Sequence, residues 1–130
     1  MIYFDTSALV KLVFEEAEST ALAEWLSVRA EVPKISSDLS TVELLRTCRR
    51  IDEDAIEDAT LLLGGIDLLP MDRGIVEKAA TLVPDELRSL DAIHLASALS
   101  VKDDLTALVA YDGRLCSAAA EAGIEVVSPA

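Results

Sequence analysis

Four acidic residues, Asp5, Glu43, Asp91 and Asp112, lie far apart in the chain but hold related places in its pattern. Asp5 and Asp112 each end an apolar run that reads as a buried strand, and Glu43 and Asp91 fall near the starts of helical segments. In a parallel sheet the strands end and the following helices begin at one edge, where open α/β proteins collect their chemistry. Carboxylates converging there in a partly dry cleft repel one another. A hard divalent cation resolves that repulsion. An all-oxygen ligand set with no accompanying cysteine suits Mg²⁺ or Mn²⁺. Such ions generate a hydroxide nucleophile and steady an in-line displacement at phosphorus.

Each acid also has a structural reading. Asp5 and Asp112 are good helix caps. Ser40-Thr41-Val42-Glu43 matches a capping box, and Glu43 lies one turn before Arg46. Asp91 is hardest to explain away, because the segment around it has so little polar surface. Taken singly these readings compete well with a site; taken together, at one edge, they lose. His94, one turn after Asp91, reads as a packed helper that orients its neighbours rather than as a ligand. No serine or cysteine motif surrounds it, and Gly64-Gly65 lacks the spacing of a phosphate loop.

The elements that must position these groups follow from periodicity. The opening run Ile2, Tyr3, Phe4 predicts a strand, and a helix follows over 7–14. A second helix covers 19–30, stopped by Pro33. Residues 34–37 are a short strand candidate. A third helix starts near Ser40, with Leu44, Leu45, Cys48 and Ile51 on its apolar face. A fourth opens on Asp52-Glu53-Asp54 and closes at Gly64-Gly65. A strand over 66–69 ends at Pro70. A helix over 73–83 is expected to bury Ile75, Val76, Ala79, Ala80 and Leu82. Residues 89–99 form a helix apolar nearly all round, with one polar stripe through Asp91, His94, Ser97 and Ser100. A strand over 105–111, a helix to about Ala122 and a last strand over 124–127 complete the chain. Strands alternating with helices mean a parallel sheet of four to five strands, sandwiched by helices, in one domain over 1–130.

The totals agree with a folded domain. Hydrophobic residues make up 52% of the 130, and aromatics only 4%, so the core is built of Leu, Val, Ile and Ala. The net charge of −13 is a poor match for nonspecific nucleic-acid binding. Cys48 and Cys116 read as free thiols. No secretory leader or membrane-length apolar stretch is present, which predicts a cytoplasmic protein.

Four blocks carry a family resemblance. Asp5-Thr6-Ser7-Ala8-Leu9 resembles the opening of PIN-domain nucleases, especially the VapC-type toxins of toxin–antitoxin pairs. Ser36-Ser37-Asp38-Leu39-Ser40-Thr41-Val42-Glu43 resembles their second block. Leu87-Arg88-Ser89-Leu90-Asp91-Ala92-Ile93-His94-Leu95-Ala96 is very like the third, and Tyr111-Asp112-Gly113-Arg114-Leu115 resembles the fourth. The blocks fall in family order and span nearly the whole chain. The resemblance implies a PIN fold and a Mg²⁺- or Mn²⁺-dependent endoribonuclease. It places Asp5, Glu43, Asp91 and Asp112 at the metal-binding and catalytic positions, with Thr6 or Ser7 supporting Asp5 or a phosphate. It also implies a homodimer and silencing by a VapB-like antitoxin.

Two other readings compete. A phosphohydrolase of the haloacid-dehalogenase type also ends its first strand in a nucleophilic Asp, but it wants a second Asp where Ser7 stands. A catalytically idle acidic module would simply bind a basic partner. If RNA is the substrate, its approach needs a local basic strip, and Arg46 and Arg50, with Arg49 beside them, continue the helical stripe that starts at Glu43. Lys11 is a further candidate for that strip.

Overall fold

Ile2 and Phe4 point to one side of the first strand and Tyr3 to the other, and all three are buried. This strand therefore has a core on both faces, as the central strand of a parallel sheet must. The computed structural model describes all 130 residues. In chain order the elements are β1 (Ile2–Phe4), α1 (Thr6–Val13), α2 (Ser19–Ser27), β2 (Lys34–Ser37), α3 (Asp38–Ile51), α4 (Ile56–Gly64) and β3 (Asp67–Leu69). They continue with α5 (Arg73–Thr81), α6 (Ser89–Ser100), β4 (Ala107–Val109), α7 (Gly113–Glu121) and β5 (Val126–Val127). Short 3₁₀ turns at Glu53–Ala55 and Lys102–Asp104 lead into α4 and β4.

The five strands lie in the order β3-β2-β1-β4-β5, all parallel. Tyr3 stands between Ile35 of β2 and Leu108 of β4 in the register. One core packs Ile2, Phe4 and Val109 against Leu9 of α1, Leu22 of α2, Leu44 and Cys48 of α3, and Leu63 of α4. The other packs Tyr3, Ile35 and Leu108 against Leu95 and Ala98 of α6 and Leu115 and Ala119 of α7. The α/β sandwich expected from the alternation is the one observed, and both cysteines are free thiols. No helix is long and apolar enough to cross a membrane.

Four local expectations are corrected. The second helix ends at Ser27, where the chain turns so that the Arg29 guanidinium stacks 4.0 Å from the Trp25 ring and bonds its carbonyl. The third begins at Asp38, not Ser40. Ser37 is its cap, accepting the Leu39 N–H at 3.1 Å, so the capping box around Glu43 does not form. The helix expected over 73–83 ends at Thr81. It buries Ile75, but Val76 is 42% exposed and Ala80 is exposed, because α5 is covered on one side only, by α6. Finally, α6 is not buried all round. Its polar stripe turns inward, with His94 and Ser97 buried, while the apolar Leu90 is 48% exposed.

Candidate active site

The carboxyl edge of the sheet collects all four acids. Asp5 follows β1 directly and caps α1: its Oδ1 accepts the Ala8 N–H at 3.0 Å and the Ser7 hydroxyl at 2.6 Å. Asp112 follows β4 in the same way. Its Oδ1 accepts the N–H groups of Arg114 and Leu115 at 2.9 and 3.1 Å. Capping and site chemistry are thus compatible, because each cap uses one oxygen and leaves Oδ2 to point elsewhere. Ser7 further ties the two strand ends together by accepting the Tyr111 N–H at 3.1 Å.

Glu43 is held by a buried chain of polar groups. Its Oε1 accepts the Thr6 hydroxyl at 2.6 Å and meets His94 Nε2 at 2.7 Å. His94 Nδ1 lies 2.8 Å from the Tyr3 hydroxyl. Burial, with the charges of Asp5 and Glu43 added, pushes the Tyr3 phenol far above its ordinary range, so it keeps its proton and offers it to Nδ1. The ring proton then sits on Nε2 and is donated to Glu43. That tautomer leaves His94 no lone pair for a metal and makes it the expected positioning group. Behind it, Ser36 bonds the Phe4 carbonyl and the Ser40 hydroxyl, both at 2.6 Å, and Thr6 Oγ1 lies 3.4 Å from Ser40. Thr6 therefore supports Glu43, and Ser7 supports Asp5.

Asp91 is the unsatisfied member. Its Oδ2 is buried and has no hydrogen-bond partner. Its nearest cation is Arg88, the residue preceding α6, whose Nε lies 3.5 Å away; Arg88 Nη2 also reaches Asp112 Oδ2 at 3.2 Å. Burial raises the Asp91 carboxyl, and the charge of Asp112 raises it further against the pull of Arg88. Burial likewise raises Asp5, although the Ser7 bond and the Ala8 N–H oppose it and Asp91 adds to it. Glu43 is also buried, but its bonds from His94 and Thr6 outweigh that and hold it below its ordinary value. The charges act on one another as neighbours do.

The donor set fits a hard divalent ion: four carboxylates, each with an oxygen not committed to the fold, and one of those oxygens buried and orphaned. The spacing is not closed, however, since no three acidic side chains stand close enough to grip one ion. The guanidinium of Arg88 bridges two of them instead.

The sequence matches the PIN domain over residues 2–121. The chain belongs to the PIN-domain family. It is 45% identical to a Mycobacterium tuberculosis protein named ribonuclease VapC47, over 99% of this chain and 97% of that one. Ribonuclease VapC35 of the same species is also 45% identical, with the same coverage. Among solved structures, M. tuberculosis VapC20, described as a toxin cleaving the sarcin-ricin loop, superposes with a TM-score of 0.77 at 19% identity, covering 99% of this chain and all 100% of that one. A toxin–antitoxin complex from Klebsiella pneumoniae gives 0.73 at 22% identity, covering 100% and 98%.

Beyond the four acids, the remaining sequence candidates divide. Arg46, Arg49 and Arg50 are exposed on α3 and form no ion pair, so Arg46 is not tied to Glu43. Lys11 does not join them. Its ammonium is bound by Glu16 at 3.1 Å and Glu18 at 2.9 Å and lies 4.5 Å from the centre of the Tyr111 ring, with the side chain only 12% exposed. Sequence reasoning missed Tyr3, which reads as plain core in an apolar strand, and Arg88, which stood inside the third block with no role given to it. The largest cleft, about 470 Å³, runs along Leu87, Gly113, Arg114 and Ser117, next in sequence to Arg88 and Asp112.

Proposed function

We propose that the chain is a Mg²⁺- or Mn²⁺-dependent endoribonuclease, acting as one domain and as the toxin of a VapBC-type pair. The observation that carries this reading is the orphaned Asp91 Oδ2 among three further carboxylates that each reserve one oxygen for the fold. Asp5, Asp91, Asp112 and Glu43 would hold the metal. A divalent ion held there would supply water activation and charge stabilisation for hydrolysis of a phosphodiester.

The protein's own part is placement. Asp5 and Asp112 are anchored by helix N–H groups, and Glu43 by Thr6 and His94, so none needs to reorganise when RNA arrives. The cleft beside Asp112 offers a neighbouring nucleotide room, and Arg46 and Arg50 offer its phosphates a path. The ribonuclease names of the 45% identical relatives support RNA as substrate, and the toxin–antitoxin complex among the structural neighbours supports a VapB-like antitoxin. A homodimer belongs to the same proposal. A cellular RNA target and a co-encoded antitoxin would place the protein in the cytoplasm.

The haloacid-dehalogenase reading fails on Ser7. Its hydroxyl donates to Asp5 at 2.6 Å, where that chemistry needs a second carboxylate. The idle-module reading is separated by experiment. Purified protein incubated with total RNA should cleave it with Mn²⁺ and stop with chelator, and Asp91→Asn should be inert under both conditions. Cleavage that survives chelation, or that Asp91→Asn retains, would overturn the assignment.

A further inference from the structure

Arg88 is the one cation in contact with the four-acid centre. Its two contacts fall on the oxygens that the fold does not use, Asp91 Oδ2 at 3.5 Å and Asp112 Oδ2 at 3.2 Å. Asp112 Oδ1 is committed to the N–H groups of α7, so its Oδ2 is the oxygen it can give to an ion. Asp91 Oδ2 is buried and otherwise without a partner. A guanidinium and a divalent ion would therefore claim the same two atoms. Arg88 itself is anchored to nothing else, and its side chain is 68% exposed, so it can leave without disturbing the core.

We infer that Arg88 is an internal counter-cation that bridges Asp91 and Asp112 in the metal-free protein and is displaced when the ion enters. This rests on the metal-dependent reading above. It accounts for the acids not closing into a three-ligand cluster, since the guanidinium stands between two of them. It also sets one positive charge against their mutual repulsion. The residue sets the ion concentration at which the site fills: the tighter its bridge, the more metal is needed to replace it.

The test is Mn²⁺ binding by titration calorimetry on the full chain, with RNA absent, for the native protein, Arg88→Gln and Arg88→Lys. Gln keeps much of the length and polarity but removes the charge. Arg88→Gln should bind Mn²⁺ roughly five- to tenfold more tightly, the size expected when a partly exposed charge-assisted contact no longer competes. Its metal-free melting temperature should fall, and its Mn²⁺-saturated melting temperature should match the native one. Arg88→Lys, which keeps the charge but loses the two-pronged reach, should lie between. Equal or weaker Mn²⁺ affinity in a folded Arg88→Gln protein would overturn the competition while leaving the metal site standing. No Mn²⁺ binding by either protein would overturn the metal reading, and the competition with it.

Discussion

His94 Nε2 stands 2.7 Å from Glu43 Oε1, and the same ring receives the Tyr3 hydroxyl 2.8 Å away on its other nitrogen. A central strand thus orients an acid on α3 through a residue on α6. His94→Ala should leave a buried phenol unpaired and Glu43 half-supported. The expected loss is about 2–3 kcal/mol of stability, since stranding buried polar groups costs more than a bond contributes. Cleavage should fall roughly a hundredfold through misplacement alone. His94→Gln, which retains both a donor and an acceptor, should recover much of each. Full activity in a folded His94→Ala protein would remove the positioning role.

Asp91→Asn separates stability from function. The carboxylate is buried, repelled by Asp112 and only loosely met by Arg88, so its charge is a burden on the metal-free fold. The variant should melt within about 1 kcal/mol of the native protein without metal, as expected when no satisfied bond is lost. It should show none of the stabilisation that saturating Mn²⁺ gives the native form. A native-like Mn²⁺ shift would mean that Asp91 is no ligand.

Acid should stabilise the metal-free protein before it unfolds it. Asp5 and Asp91 titrate above their ordinary values in the fold. Between roughly pH 4, where such carboxyls titrate in an unfolded chain, and those raised values, the folded protein holds protons that the unfolded chain has released. Stability therefore falls as pH rises through that window. Glu43 works in the opposite sense, but only near and below its ordinary value, where the unfolded chain takes up a proton that the folded carboxylate does not. Thermal melts in chelator should rise as the pH is lowered towards the ordinary carboxyl range of about 4, and saturating Mn²⁺ should abolish the rise. The slope should shrink in Asp91→Asn, which relief of the overall negative charge alone would leave nearly unchanged. A native melting temperature that falls as the pH is lowered towards that range would contradict this.

Arg46→Ala combined with Arg50→Ala should weaken RNA binding across sequences, measured with Ca²⁺ in place of Mn²⁺ to hold cleavage off. The dependence of log affinity on log salt should flatten by roughly 1 to 2, as expected for two lost contacts to single-stranded phosphates. Lys11→Ala should leave that slope unchanged, because Glu16 and Glu18 already neutralise the ammonium. An unchanged slope in the double variant would send the RNA over another face.

The sheet and its acid-bearing edge were legible because their signals are local: an apolar run ending in Asp, twice, and strands alternating with helices. What was not legible is what neighbours decide. Ser40 and Glu43 have the spacing of a capping box, but Ser37 caps the helix, while Ser36 and His94 take the two side chains. Periodicity marked Val76 and Ala80 as a helix face without saying what covers it. The charge of Lys11 is plain in sequence, whereas its two glutamates lie across the turn after α1. The Tyr3–His94 bond joins residues 91 positions apart and leaves no trace in either local pattern.

The strand order sets a schedule for synthesis. β1 is made first and lies at the centre of the sheet, yet its neighbour β4 spans Ala107–Val109, near the end of the chain. A growing polypeptide holds Asp5 from the start but has no wall to set Asp112 against until the last strands emerge. The four-acid edge is therefore complete only late in synthesis, and a chain cut short before Asp112 lacks one of the four carboxylates.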